Sequence, residues 1–86
     1  MYRVELKPRA QKFIEKQQRK VQRQLLERIA ELAEDPYRGS KKLHDAESLY
    51  RVRSGDYRII YQVRDKELLV LVVKVGDRKD IYRLLN

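Results

Sequence analysis

Cysteine and tryptophan are absent from this chain, and histidine occurs once, at position 44. Without cysteine there can be no disulfide, no thiolate ligand and no thiol nucleophile, which fits a reducing compartment. One histidine and no cysteine exclude a Cys–His pair, and His44 has no partner at metal-ligand spacing. In its polar loop it reads as an ordinary surface side chain. The three glycines, Gly39, Gly55 and Gly76, are too dispersed to form a phosphate-cradling loop, and no pair of carboxylates stands out from the apolar pattern. Neither a metal nor a cofactor is expected. The longest apolar run, Leu68 to Val73, is far too short to span a bilayer. The first residues, Met1 to Lys7, alternate like a strand and hold no signal-peptide core. The expectation is a soluble, cytoplasmic chain without a membrane partner.

What is abundant is positive charge. Among 86 residues, 21 Lys and Arg stand against 13 Asp and Glu, a net charge of +8. An excess of that size speaks to association with a polyanion, not to fold. Nucleic acid is the commonest such partner, with an acidic protein or a membrane surface as competitors. Hydrophobic residues make up 42% of the chain and are patterned, so disorder is excluded on composition. The length suits one small domain over residues 1–86.

Tyr2, Val4 and Leu6 alternate with Arg3, Glu5 and Lys7, the pattern of a short strand. Pro8 suits the first turn of a helix, where its missing N–H costs nothing. Ala10, Phe13, Ile14 and Gln17 then step at helical spacing, and Val21, Leu25, Ile29, Leu32 and Ala33 continue it. Gln17-Gln18-Arg19-Lys20 carries no apolar residue and divides the stretch into two helices. Asp35-Pro36 ends the second, because the residue before proline avoids the α region. Tyr37 to Glu47, with Gly39, Ser40 and Lys41-Lys42, reads as a connecting loop. Two alternating strands follow around Ser54-Gly55-Asp56, and Asp65-Lys66-Glu67 turns into the apolar run Leu68 to Val75, a central strand covered by helices. Gly76-Asp77 interrupts it, and Arg78 to Arg83 closes the chain. The predicted fold is α+β: an antiparallel twisted sheet of about four strands packed against two N-terminal helices, in the order β-α-α-β-β-β.

The segment Leu49 to Arg64 carries the most information. Strand parity places Arg51 and Arg53 on one face and Tyr50 and Val52 on the other. In the next strand Tyr57, Ile59, Tyr61 and Val63 form the apolar set and leave Arg58 opposite them. A loop of two or four residues brings Arg51, Arg53 and Arg58 to the same side, whereas an odd loop or a bulge separates them. Three guanidiniums on one face repel one another unless an anion sits among them, and a guanidinium meets phosphate through two parallel hydrogen bonds. The alternative is a solvated basic strand face, and spacing alone leaves the two in balance. Tyr50, Tyr57 and Tyr61 lie on the apolar side and read as core, not as base-stacking platforms.

Taken together these residues resemble the RelE branch of the RelE/ParE toxin superfamily, over nearly the whole chain. The resemblance rests on the order of elements, on Tyr50-Arg51-Val52-Arg53 followed by Gly55-Asp56-Tyr57-Arg58-Ile59-Ile60-Tyr61, and on Val75-Gly76-Asp77-Arg78-Lys79-Asp80-Ile81-Tyr82. It implies a single RelE-like toxin domain over 1–86: a ribosome-dependent messenger-RNA endonuclease held inactive by a cognate antitoxin. Cleavage in the family proceeds in the ribosomal A site without metal, by attack of the ribose 2′-hydroxyl on the adjacent phosphate. Carried over by position, Arg58 braces the scissile phosphate, Arg78 serves the leaving-group side and Tyr82 stacks on or orients a nucleotide. Arg51 and Arg53 occupy positions where well-studied members carry lysines, one of them proposed as general base. Arginine does not give up its proton in proteins, so these two act as electrostatic clamps if they act at all. Asp77 is a second departure, since many relatives carry a basic residue or histidine there. ParE-type relatives share the fold, poison DNA gyrase and lack the arginine and terminal tyrosine set. A module that binds RNA or antitoxin without chemistry is the third reading.

Overall fold

The computed structural model describes residues 1–43 and 48–77. A first strand, β1 (Arg3–Leu6), leads into two helices, α1 (Pro8–Glu15) and α2 (Arg19–Glu34). Four more strands follow: β2 (Lys41–Lys42), β3 (Leu49–Ser54), β4 (Tyr57–Arg64) and β5 (Leu69–Asp77), with one 3-10 turn, Asp65–Glu67, between the last two. Pro8 stands at the start of α1, as its missing donor favours, and the backbone of Asp35 is extended at the end of α2, as the following proline demands.

The strands form one sheet in the order β1-β5-β4-β3-β2. The expected α+β plan therefore holds, with three corrections to the sequence reading. The sheet has five strands, because Lys41–Lys42 pairs with Arg51 and Tyr50 within what reads as a loop. It is not wholly antiparallel, because β1 pairs parallel to β5, Val4 opposite Val70. Such pairing depends on the helical pair carrying the chain back across the sheet, and no local pattern records it. Finally, β5 does not stop at Gly76 but pairs on through Asp77.

The core lies between the helices and one face of the sheet. Ala10, Ile14, Leu25, Ile29 and Leu32 pack against Val52, Ile59, Tyr61, Val63, Val70, Val72 and Val75. Val72 and Val75 are three residues apart, a spacing that would put them on opposite faces of a regular strand. A bulge reconciles them: Ile60 pairs with Lys74 but Tyr61 pairs with Val72, leaving Val73 as the extra residue. The same bulge turns Lys74 to the face of Ile60, away from the main core. Tyr61 is fully buried and donates its hydroxyl to the Pro36 carbonyl at 2.5 Å, so the sheet holds the chain leaving α2.

Outside the core, Asp65 gathers two tyrosines. Tyr2 Oη donates to Asp65 Oδ1 at 2.5 Å and Tyr37 Oη donates to Oδ2 at 2.6 Å. These bonds hold the Asp65 carboxyl below its ordinary range and push both phenols up. Tyr37 also meets Tyr50 edge to face, with ring centroids 5.3 Å apart, and Tyr50 stacks on Tyr61 at 6.0 Å. The aromatic residues of the hairpin are thus engaged by core and loop, as their parity predicts.

A basic depression on the open face of the sheet

The β3–β4 hairpin turns on two residues, Gly55 and Asp56, between the paired Ser54 and Tyr57. Gly55 has φ of +59°, whereas Asp56 is not among the residues with positive φ, the arrangement of a type II′ turn. Glycine is favoured here by its backbone conformation, and any larger residue would also displace the end of a neighbouring glutamine. A β-carbon would stand in the left-handed region and would also meet Nε2 of Gln24, in α2, at 2.3 Å. Gln24 Nε2 in turn donates to Oγ of the buried Ser54 at 3.4 Å, so α2 braces the turn from below.

A two-residue loop settles the register left open above. Arg53 stands directly opposite Arg58, Arg51 lies opposite Ile60, and all three arginines share one face. Lys41 extends the set, because β2 places it opposite Arg51. Together Lys41, Arg51, Arg53 and Arg58 line a depression of about 200 Å³ with Gly39 and Val52, and among the described residues of its wall there is no carboxylate. Arg53 is held by a bond from its Nε to the Gly55 carbonyl at 3.0 Å, and Nη1 of Arg58 reaches the Tyr57 carbonyl at 3.4 Å. Cations gathered on one face repel one another, and a neighbouring anion lowers that cost; Arg51 is itself engaged in an interaction.

Arg28 ties together the backbone that carries these residues. From α2 its Nε donates to the Arg53 carbonyl at 3.4 Å, its Nη2 to the Arg38 carbonyl at 3.3 Å, and its Nη1 to Glu31 at 3.1 Å. One guanidinium thereby ties β3 to the loop that delivers Gly39 and Lys41. Gly39 has φ of +71°, and a β-carbon there would press on Arg28 Nη2 at 3.2 Å. Neither Arg28 nor Lys41 stands out in the sequence reading. Arg28 is one basic residue among many on a helix, and Lys41 belongs to a loop until its pairing with Arg51 is known.

The expected site residues thus divide. Arg51, Arg53 and Arg58 are brought together, while Arg78, Tyr82 and also His44 lie outside the described residues. What is described is the approach to Arg78. Gly76 pairs with Arg58 and Asp77 with Tyr57, so β5 delivers the chain to the turn end of the hairpin at the residue before Arg78.

The architecture is that of a small α+β domain with four cationic side chains on the open face of its sheet. The family described as "ParE toxin of type II toxin-antitoxin system, parDE" matches residues 4–82. A putative RelE-like toxin protein of Escherichia coli is 31% identical over 99% of this chain and 94% of its own length. The mRNA interferase toxin RelE of E. coli K12 is 35% identical over 72% of this chain and 70% of its own. Among solved structures, the toxin in the intact E. coli RelBE toxin–antitoxin complex superposes with a TM-score of 0.79, at 33% identity, covering 90% of this chain and 96% of that one. The chain belongs to the RelE/ParE family of type II toxin–antitoxin toxins, on its RelE branch.

Proposed function

We propose that this chain is the cytoplasmic toxin of a type II pair, an endoribonuclease that cuts messenger RNA on the ribosome and is silenced by a cognate antitoxin. The observation that carries the reading is the convergence of Lys41, Arg51, Arg53 and Arg58 on one depression in a chain of the RelE branch. The whole of residues 1–86 acts as one toxin domain. In the proposed reaction the ribose 2′-oxygen attacks the adjacent phosphorus, the P–O5′ bond breaks, and a 2′,3′-cyclic phosphate and a 5′-hydroxyl are left. The phosphorane-like transition state gains negative charge, and guanidiniums already fixed around it stabilise that charge without reorganising. Arg58 and Arg53, paired across the hairpin, brace the phosphate; Arg51 and Lys41 hold the neighbouring strand of RNA. Arg78 serves the leaving oxygen and Tyr82 the base, on the family resemblance alone. Holding the 2′-oxygen in line supplies much of the remaining acceleration.

Expression without a partner is expected to halt translation, with primer extension on a reporter message showing cuts inside translated codons and none when ribosomes are excluded. Intact message together with gyrase-linked DNA breaks would replace this reading with the ParE-type one. An inert chain that still binds RNA would leave only a binding module.

A further inference from the structure

A second basic cavity lies beyond the hairpin, between α1 and the last turns of β5. It has a volume of about 770 Å³ and is lined by Arg9, Lys12 and Phe13 from α1, by Lys16 at that helix's C-cap, and by Lys74 and Gly76 from β5. The one carboxylate among its described lining residues, Asp77, is itself engaged in an interaction. Arg9, Lys12 and Lys16 recur at spacings of three and four and so form one stripe of the helix surface. Lys74 is the unusual member. Only 3% of it is exposed, and among the described residues it forms neither a hydrogen bond nor an ion pair. Its stem is buried, but no buried side-chain nitrogen lacks a partner among the described residues, so the ammonium itself opens to solvent with its donors available to an anion. Burial, aided by the charge of Arg9, already pushes this ammonium below its ordinary range.

The sheet connects this cavity to the first. Lys41 pairs with Arg51, Arg51 with Ile60, and Ile60 with Lys74, a lateral row across four strands. The neighbouring row runs Arg53, Arg58, Gly76, so one pair joins the wall of each cavity. Directly paired residues share a face, and strands lie about 4.8 Å apart, so Lys74 sits two strands, roughly 10 Å, from Arg51. That separation suits successive phosphates of an RNA strand.

Resting on the RNA-cleavage reading, we propose that this cavity is a second phosphate site, in which Lys74, Arg9, Lys12 and Lys16 hold the RNA backbone one or two nucleotides beyond the cut. Phe13, half-buried in its wall, offers a ring edge to the attached base.

The test uses the full chain and a five-nucleotide single-stranded RNA, 2′-O-methylated so that it cannot be cut, with binding read by fluorescence anisotropy across a salt series. Lys74→Met keeps the length and packing of the buried side chain without its charge. Lys12→Gln with Lys16→Gln removes two exposed charges and leaves the core untouched. Each lost contact is expected to lower the slope of log affinity against log salt by about 0.7 and to weaken binding several-fold at low salt. Lys20→Gln, an exposed charge change away from both cavities, is expected to leave the slope alone. Absence of binding by the native chain, or equal slopes in all variants, would overturn the proposal. So would a Lys74→Met chain that keeps the RNA slope but loses its antitoxin, which would give the cavity to an acidic peptide. A native chain that cuts no ribosome-bound message while these slopes still fall would remove the cleavage reading and leave the phosphate site standing.

Discussion

At the scale of single residues, equal charges do unequal work in this molecule. Arg58 faces Arg53 across the depression, whereas Lys20 stands on the outer surface of α2. A donor that meets charge only in the transition state acts on kcat, so Arg58→Ala is expected to lower it by about 10²–10³-fold in single-turnover cleavage on ribosomes. Lys20→Gln removes the same charge and is expected to leave kcat unaltered. Arg51→Lys and Arg53→Lys test whether these positions clamp or abstract a proton. Lysine crowded by cations can lose its proton and arginine cannot. As clamps, both variants are expected to cut at or slightly below the native rate with a parallel pH profile. A steep gain with pH in either would assign base catalysis to that position. Asp65 is the counterpart among the acids. Its folded pKa lies below the ordinary 3.8, so its contribution to stability is present above that value and is lost as pH falls through the lower, folded one. Asp65→Asn is expected to melt below the native chain at neutral pH, and the two melting curves should converge in acid under pH 3.8.

Elements place these residues, and here the turn decides. A one-residue change in the length of the Gly55-Asp56 loop would send Arg58 to the core side. Gly55→Ala forces a side chain into the left-handed region at a cost of about 1 kcal/mol, which for a domain of this size lowers Tm by about 4–8 °C. Because the new methyl would also meet Gln24, pairing it with Gln24→Ala is expected to restore part of that loss in thermal melts. The hairpin, both helices and the shared face of Arg51 and Arg53 were legible in the sequence because periodicity, Pro8, Asp35-Pro36 and a short polar turn are local signals; that Arg58 joins them depends on the loop length, which the strand pairing supplies. Lys41 and Arg28 were not, because their roles depend on which strand Lys41 meets and on where α2 crosses β3. The bulge at Val73 was hidden for the same reason: Val72 to Val75 is uniformly aliphatic apart from Lys74, and only the partner strand shows where the count slips. That slip takes a lysine out of the core and adds it to the basic face.

On the whole molecule, the excess of +8 is distributed with a purpose visible in the fold. The helices and the sheet bury the aliphatic residues between them, while the depression and the α1–β5 cavity together hold eight cationic side chains from four strands and one helix. Such a field attracts any polyanion within a Debye length, about 8 Å at physiological ionic strength, and so cannot by itself separate messenger RNA from an acidic partner. Discrimination must come from shape, and the fold offers a second kind of surface for that purpose. Leu26 is exposed on α2, beside a groove lined by Leu6, Ile14 and Gln22. An antitoxin that is steered by charge but anchored by apolar side chains would show the two contributions in different rate constants. Association of the proposed antitoxin is therefore expected to slow steeply as salt rises, while dissociation changes little. Leu26→Ser is expected to do the reverse, speeding dissociation with the salt slope of association retained, as measured by surface plasmon resonance. Salt-independent association would mean that the antitoxin ignores the basic face and that the field serves RNA alone.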